Sequence, residues 1–95
     1  MNTIINSVKF RADEKLEKFI NEKVAKLDRM IDSAVGCEVT LKVDKPESDN
    51  NKIAEIRLNV PGKDLFVTKQ ADTFEQAIAE GIDTLRVQIE KYKNA

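Results

Sequence analysis

The chain has 95 residues, 35% of them charged, and a net charge of −1. That length makes one small domain able to bury a modest core, and the charge supplies no global pull toward nucleic acid. No apolar run approaches the length of a membrane-spanning helix, the N-terminus lacks the pattern of a signal peptide, and a single cysteine excludes an internal disulfide and fits a reducing cytoplasm.

Residues 3–10 are rich in β-branched and aromatic types and predict a first strand, although alternation is poor around Asn6 and Ser7. Residues 13–31 predict a helix capped at Asp13, with Glu14 and Glu17 in its first turns. Its apolar face repeats Leu16, Phe19, Ile20, Val24, Leu27, Met30 and Ile31 at steps of three and four. Lys15, Lys18, Lys26 and Arg29 share the opposite side with Glu22. Lys23 breaks the pattern by projecting into the apolar arc. Two readings are open: a stem packed on the core with its ammonium reaching water, or a cation held rigidly in a cleft and ready for a phosphate.

Residues 37–43 alternate, with Cys37, Val39, Leu41 and Val43 inward and Glu38, Thr40 and Lys42 outward, as in a half-buried antiparallel strand. Cys37 reads as a small core hydrophobe, because the chain has no histidine and no evident base to activate a thiol. Residues 44–52 predict an exposed, mobile loop whose acids would make a poor phosphate contact and fit no EF-hand spacing. Ala54, Ile56, Leu58 and Val60 alternate with Glu55, Arg57 and Asn59. Pro61-Gly62-Lys63-Asp64 is a turn, and 65–69 returns, so 53–70 predicts a hairpin.

The last stretch, Asp72–Lys93, predicts a second amphipathic helix. Phe74, Ala77, Ile78, Gly81, Leu85, Ile89 and Tyr92 share one arc, and Glu80, Asp83 and Glu90 point away from it. Asp72 or Thr73 caps it, and Lys91 and Lys93 suit its C-terminal dipole. Gly81 sits mid-arc, where a missing side chain lets a neighbouring element approach closely. The order β-α-β-β-β-α predicts an α+β two-layer sandwich over residues 1–95, with both helices on one face of a four-stranded sheet. The other face, bearing Glu38, Thr40, Lys42, Glu55, Arg57 and Asn59, is expected to be open to water.

Asp72, Phe74, Ala77-Ile78, Asp83, Leu85, Gln88 and Lys91-x-Lys93 resemble the last helix of the ribosome hibernation promoting factor family, which includes ribosome-associated inhibitor A, or protein Y. Lys23-x-x-Lys26-Leu27 matches a segment typical of the same family. The family Asp, Lys and Arg are replaced here by Ala79, Thr84 and Val87. The resemblance implies a double-stranded-RNA-binding-domain-like fold and a bacterial, cytoplasmic hibernation factor of the short form, acting under stress or in stationary phase. Such a factor blocks translation by binding the small ribosomal subunit in the mRNA and tRNA channel, alone or with a second, ribosome-dimerising factor. Contacts would go mainly to rRNA phosphates and shape. Carried over by position, Lys23, Lys26, Lys91 and Lys93 are the expected rRNA contacts. Arg86 joins them although it stands one place before the family arginine, and Arg29 and Lys69 are additional contacts on physical grounds alone.

Near-neutral charge does not forbid this. Residues 11–32 hold six basic and six acidic side chains, which can be sorted onto different faces. An enzyme finds no support in the sequence: there is no histidine, glycine-rich phosphate loop, G-x-S-x-G or metal-ligand cluster, so neither cofactor nor metal is expected. Membranes and DNA are not expected partners either. The rival reading is a protein-interaction module that uses the exposed sheet face.

Overall fold

In the computed structural model, which describes residues 1–94, six elements follow in the expected order. They are β1 (Asn2–Ser7), α1 (Glu14–Met30), β2 (Gly36–Val43), β3 (Lys52–Val60), β4 (Lys63–Ala71) and α2 (Phe74–Lys93). The sheet order is β1-β2-β3-β4, with β1 parallel to β2 and the remaining pairs antiparallel. The α1 crossover links the parallel pair, as parallel neighbours require.

The alternating residues of β2 and β3 bury Cys37, Val39, Leu41, Ala54, Ile56 and Leu58, each at most 2% exposed. Register carries the same face across the sheet: Val39 pairs with Ile56, and Ile56 with Val67. Both helices cover this face, α1 through Leu16, Ile20, Val24 and Leu27 and α2 through Ala77, Ile78, Gly81, Ile82, Leu85 and Ile89. Ile82 belongs to the buried face beside the arc read from the sequence. Val43 is only half-buried, because β2 is leaving the helix layer there. The mid-helix glycine has its expected reason: a Cβ at position 81 would stand 2.8 Å from Ile56 Cδ1, so α2 lies unusually close to β3.

Asp13 caps α1 by accepting from the Leu16 N–H at 2.8 Å, and Thr73 caps α2 by accepting from the Gln76 N–H at 3.0 Å. Asp72, the other candidate cap, is used differently. Its carboxylate accepts from the Asn50 N–H at 2.8 Å. The loop expected to be mobile is therefore tied down. Gln70 donates to the Asn50 carbonyl, the Asp44 N–H donates to the Asn51 carbonyl, and Asn51, only 4% exposed, donates through Nδ2 to the Lys45 carbonyl. Asn50 takes φ +54°, a conformation asparagine tolerates. The strand expected over 3–10 ends at Ser7, because Lys9 turns the chain at φ +64° and sends Phe10 to stack on Phe74, ring centroids 5.1 Å apart. The hairpin is longer than expected: Val60 pairs with Lys63, leaving Pro61 and Gly62 (φ +84°) as a two-residue turn.

Candidate nucleic-acid interface

The two helices run side by side in the same direction, and their shared boundary is where most candidate cations meet. On α1, Phe19, Lys23, Lys26 and Met30 step at four, three and four residues along the flank toward α2. Lys23 is half-buried, and its ammonium lies 5.5 Å from the centroid of the Phe19 ring. The packed-stem reading of Lys23 fits this placement. The stem packs on apolar surface, and the ammonium lies against the Phe19 face.

Lys26 is fully exposed, and its neighbours are cations. The Lys23 ammonium, above all, holds the Lys26 amine below its ordinary pKa, with Arg86 of α2 and Arg29 acting in the same direction. Charges of like sign disfavour another proton. These four side chains form a basic seam between the helices. Lys93 extends it to the C-terminal end, where its ammonium donates to the Met30 carbonyl at 3.1 Å.

The remaining candidates lie elsewhere. Lys91 stands on the opposite flank of α2, in a depression shared with Lys63, Leu65, Gln88 and Tyr92 along β4. Lys69, on β4 opposite Ala54, is half-buried toward the helix layer of that edge strand. An inward-pointing charge of this kind guards a sheet edge, as does Gln88, which donates to the Phe66 carbonyl.

The ion pairs divide the two faces further. Among the described residues they are Met1 amino terminus–Asp28, Lys42–Glu55 at 3.0 Å and Arg57–Asp64 at 3.9 Å. Both cations of the open sheet face are thus matched by carboxylates. Among the described residues, none of Lys23, Lys26, Arg29 and Arg86 forms an ion pair. Sequence spacing missed one feature of the sheet face. Ile4 is 54% exposed and Phe66 44%, and the Arg57 guanidinium lies over the Phe66 ring at 5.4 Å. Period-two alternation places Phe66 outward but does not show that Arg57 covers it.

Cys37 is buried in the core, and desolvation pushes its thiol up to about 11. Its place among Val39, Leu41 and Leu58 suits the core hydrophobe read from the sequence. No helix among the described residues is long and apolar enough to cross a membrane.

These features define a small two-layer α+β domain with a cationic seam between parallel helices. The chain belongs to the sigma 54 modulation protein / S30EA ribosomal protein family, whose model matches residues 3–95. It is 31% identical over 81 residues to a ribosome hibernation promotion factor of Deinococcus radiodurans, an alignment covering 84% of this chain. The chain spans only 42% of that relative's length. Two solved structures share the fold. A ribosomal subunit interface protein from Coxiella burnetii superposes with a TM-score of 0.89 over 100% of both chains, at 16% identity. The N-terminal domain of Thermus thermophilus Protein Y gives 0.80 over 97% of this chain and 99% of the other, at 23% identity. Family membership agrees with the resemblance carried by the last helix.

Proposed function

We propose that residues 1–95 form a ribosome-binding domain of a hibernation factor that inhibits translation in the bacterial cytoplasm. It binds the small ribosomal subunit through rRNA phosphates in the channel used by mRNA and tRNA. A second factor that pairs ribosomes is a further partner under this proposal. The observation that carries it is the seam of Lys23, Lys26, Arg29 and Arg86, which among the described residues form no ion pair while the sheet-face cations are paired. A near-neutral protein can therefore offer RNA a locally positive surface. The relative's name, ribosome hibernation promotion factor, supports the same reading.

The test is co-sedimentation with purified small subunits across a salt series. Wild type should bind with log affinity falling linearly against log salt. Lys23→Glu/Lys26→Glu should bind weakly and lose about 1.4–1.8 from the slope, since each phosphate contact contributes about 0.7–0.9. Absence of wild-type binding at low salt would refute the proposal. The protein-interaction reading draws on exposed Ile4 and Phe66. It expects association that changes little with salt and survives the double charge reversal.

A further inference from the structure

The basic seam has a chemical property that phosphate binding does not use. Lys26 sits at its centre, with Lys23 three residues before it, Arg29 three residues after it on the same helix, and Arg86 facing it from α2. Lys23 is itself held over Phe19, so that cation has limited freedom to swing away. The acids closest in sequence are Glu22 and Asp28 on α1, the latter paired with the Met1 amino terminus, and Asp83 and Glu90 around Arg86. None forms an ion pair with a seam residue among the described residues. Lys26 is fully exposed, so a small reagent can reach its amine.

We propose that Lys26 is an acylation site for small acyl donors carrying phosphate, namely acyl phosphates or acyl thioesters of a phosphorylated carrier. Two effects of the same cluster converge on it. Lys23, Arg29 and Arg86 attract the anionic donor, and like-charge repulsion leaves more of the Lys26 amine unprotonated and nucleophilic at a given pH. The amine lone pair attacks the acyl carbon and a C–N amide bond forms. The C–O bond to phosphate, or the C–S bond to the carrier, breaks, and the phosphate or thiolate leaves with that electron pair. The amine proton passes to solvent. Acylation removes the positive charge from the middle of the seam. The modification needs no ribosome. Its consequence, weaker binding to rRNA phosphates, rests on the function proposed above.

The test is acetylation of the purified protein at about pH 8, where lysines are mostly protonated, with acetyl phosphate and with acetyl-coenzyme A in separate arms. Initial rates are read at each lysine by peptide mass spectrometry. Lys26 should react on the order of tenfold faster than the exposed Lys18 and Lys45 with at least one donor, because local charge concentrates the anion; the faster arm identifies the donor class. The advantage should shrink in Lys23→Gln/Arg86→Gln, in high salt and in urea. Equal rates at the three lysines in both arms would overturn the proposal, as would a preference unchanged in the double variant. Sedimentation of the acetylated protein with small subunits then tests the consequence separately. Selective acetylation with no loss of binding would leave the site standing and count against the rRNA clamp.

Discussion

The Lys93 ammonium donates to the Met30 carbonyl at 3.1 Å, so the last turn of α2 closes the C-terminus of α1. That carbonyl is one of the four at a helix end without an intrahelical partner. Lys93→Ala should cost about 1 kcal/mol, read as a fall in Tm of roughly 4–8 °C for a domain of this size. Lys93→Arg, which keeps a long cationic donor, should stay near wild type. Equal loss in both variants would show that this bond is not the source.

Gly81 and Ile56 should be coupled. Gly81→Ala gains about 1 kcal/mol of helix propensity, but its methyl would meet Ile56 Cδ1, which is fully buried. The single variant should be neutral or mildly destabilised. In an Ile56→Val background, which removes that methyl, Gly81→Ala should be stabilising by up to about 1 kcal/mol. Denaturant midpoints of the four proteins in the cycle measure it, and additivity would refute the steric account.

Cys37 makes stability depend on pH in the alkaline range. Burial raises its thiol from 9.0 to about 11. Between those values the unfolded chain has released the proton and the folded chain still holds it. The unfolded state then binds fewer protons, so stability falls as pH rises through this window and is insensitive to this group below it. The full effect is on the order of 3 kcal/mol, from two units at 1.36 kcal/mol each. Urea titrations at about pH 8 and 10.5 should show a smaller drop for Cys37→Ala than for wild type. The same burial predicts slow alkylation of the native thiol, and fast alkylation once urea unfolds the chain.

The loop between β2 and β3 should behave as an ordered one. Asn51→Ala leaves the Lys45 carbonyl without its side-chain partner and should cost about 1–3 kcal/mol. Asp72→Ala frees the Asn50 N–H. It should speed hydrogen exchange at Asn50 while leaving β3 amides such as Ile56 protected.

Much of this architecture is visible in the sequence because each element buries one face. The alternation around Leu41 and Ile56 and the three- and four-residue steps from Leu16 to Leu27 report that burial directly. What escaped notice depends on encounters between distant residues. Nothing local marks Asp72 as a partner of Asn50, or Arg86 as a neighbour of Lys26. The end of β1 was hidden because a lysine at positive φ has no compositional signature. Lys91 and Lys93 look alike in sequence, but two helical positions separate them by about 200°. One faces β4 and the other reaches α1.

The parallel run of α1 and α2 also gives the molecule an electrical direction. On α2, Asp72 and Glu75 stand at the start and Lys91 and Lys93 at the end, whereas on α1 Lys15 and Lys18 lie among Glu14 and Glu17 and Asp28 lies beside Arg29, so α1 contributes mainly its peptide dipole. Because the helices point the same way, their peptide dipoles and the charge separation of α2 add along the axis they share. A body with almost no net charge then carries a dipole along that axis. An external field exerts a torque on such a body even where it exerts little pull. A strongly charged surface would turn the domain basic end first before contact, so the geometry of first encounter is biased by alignment where attraction alone is weak.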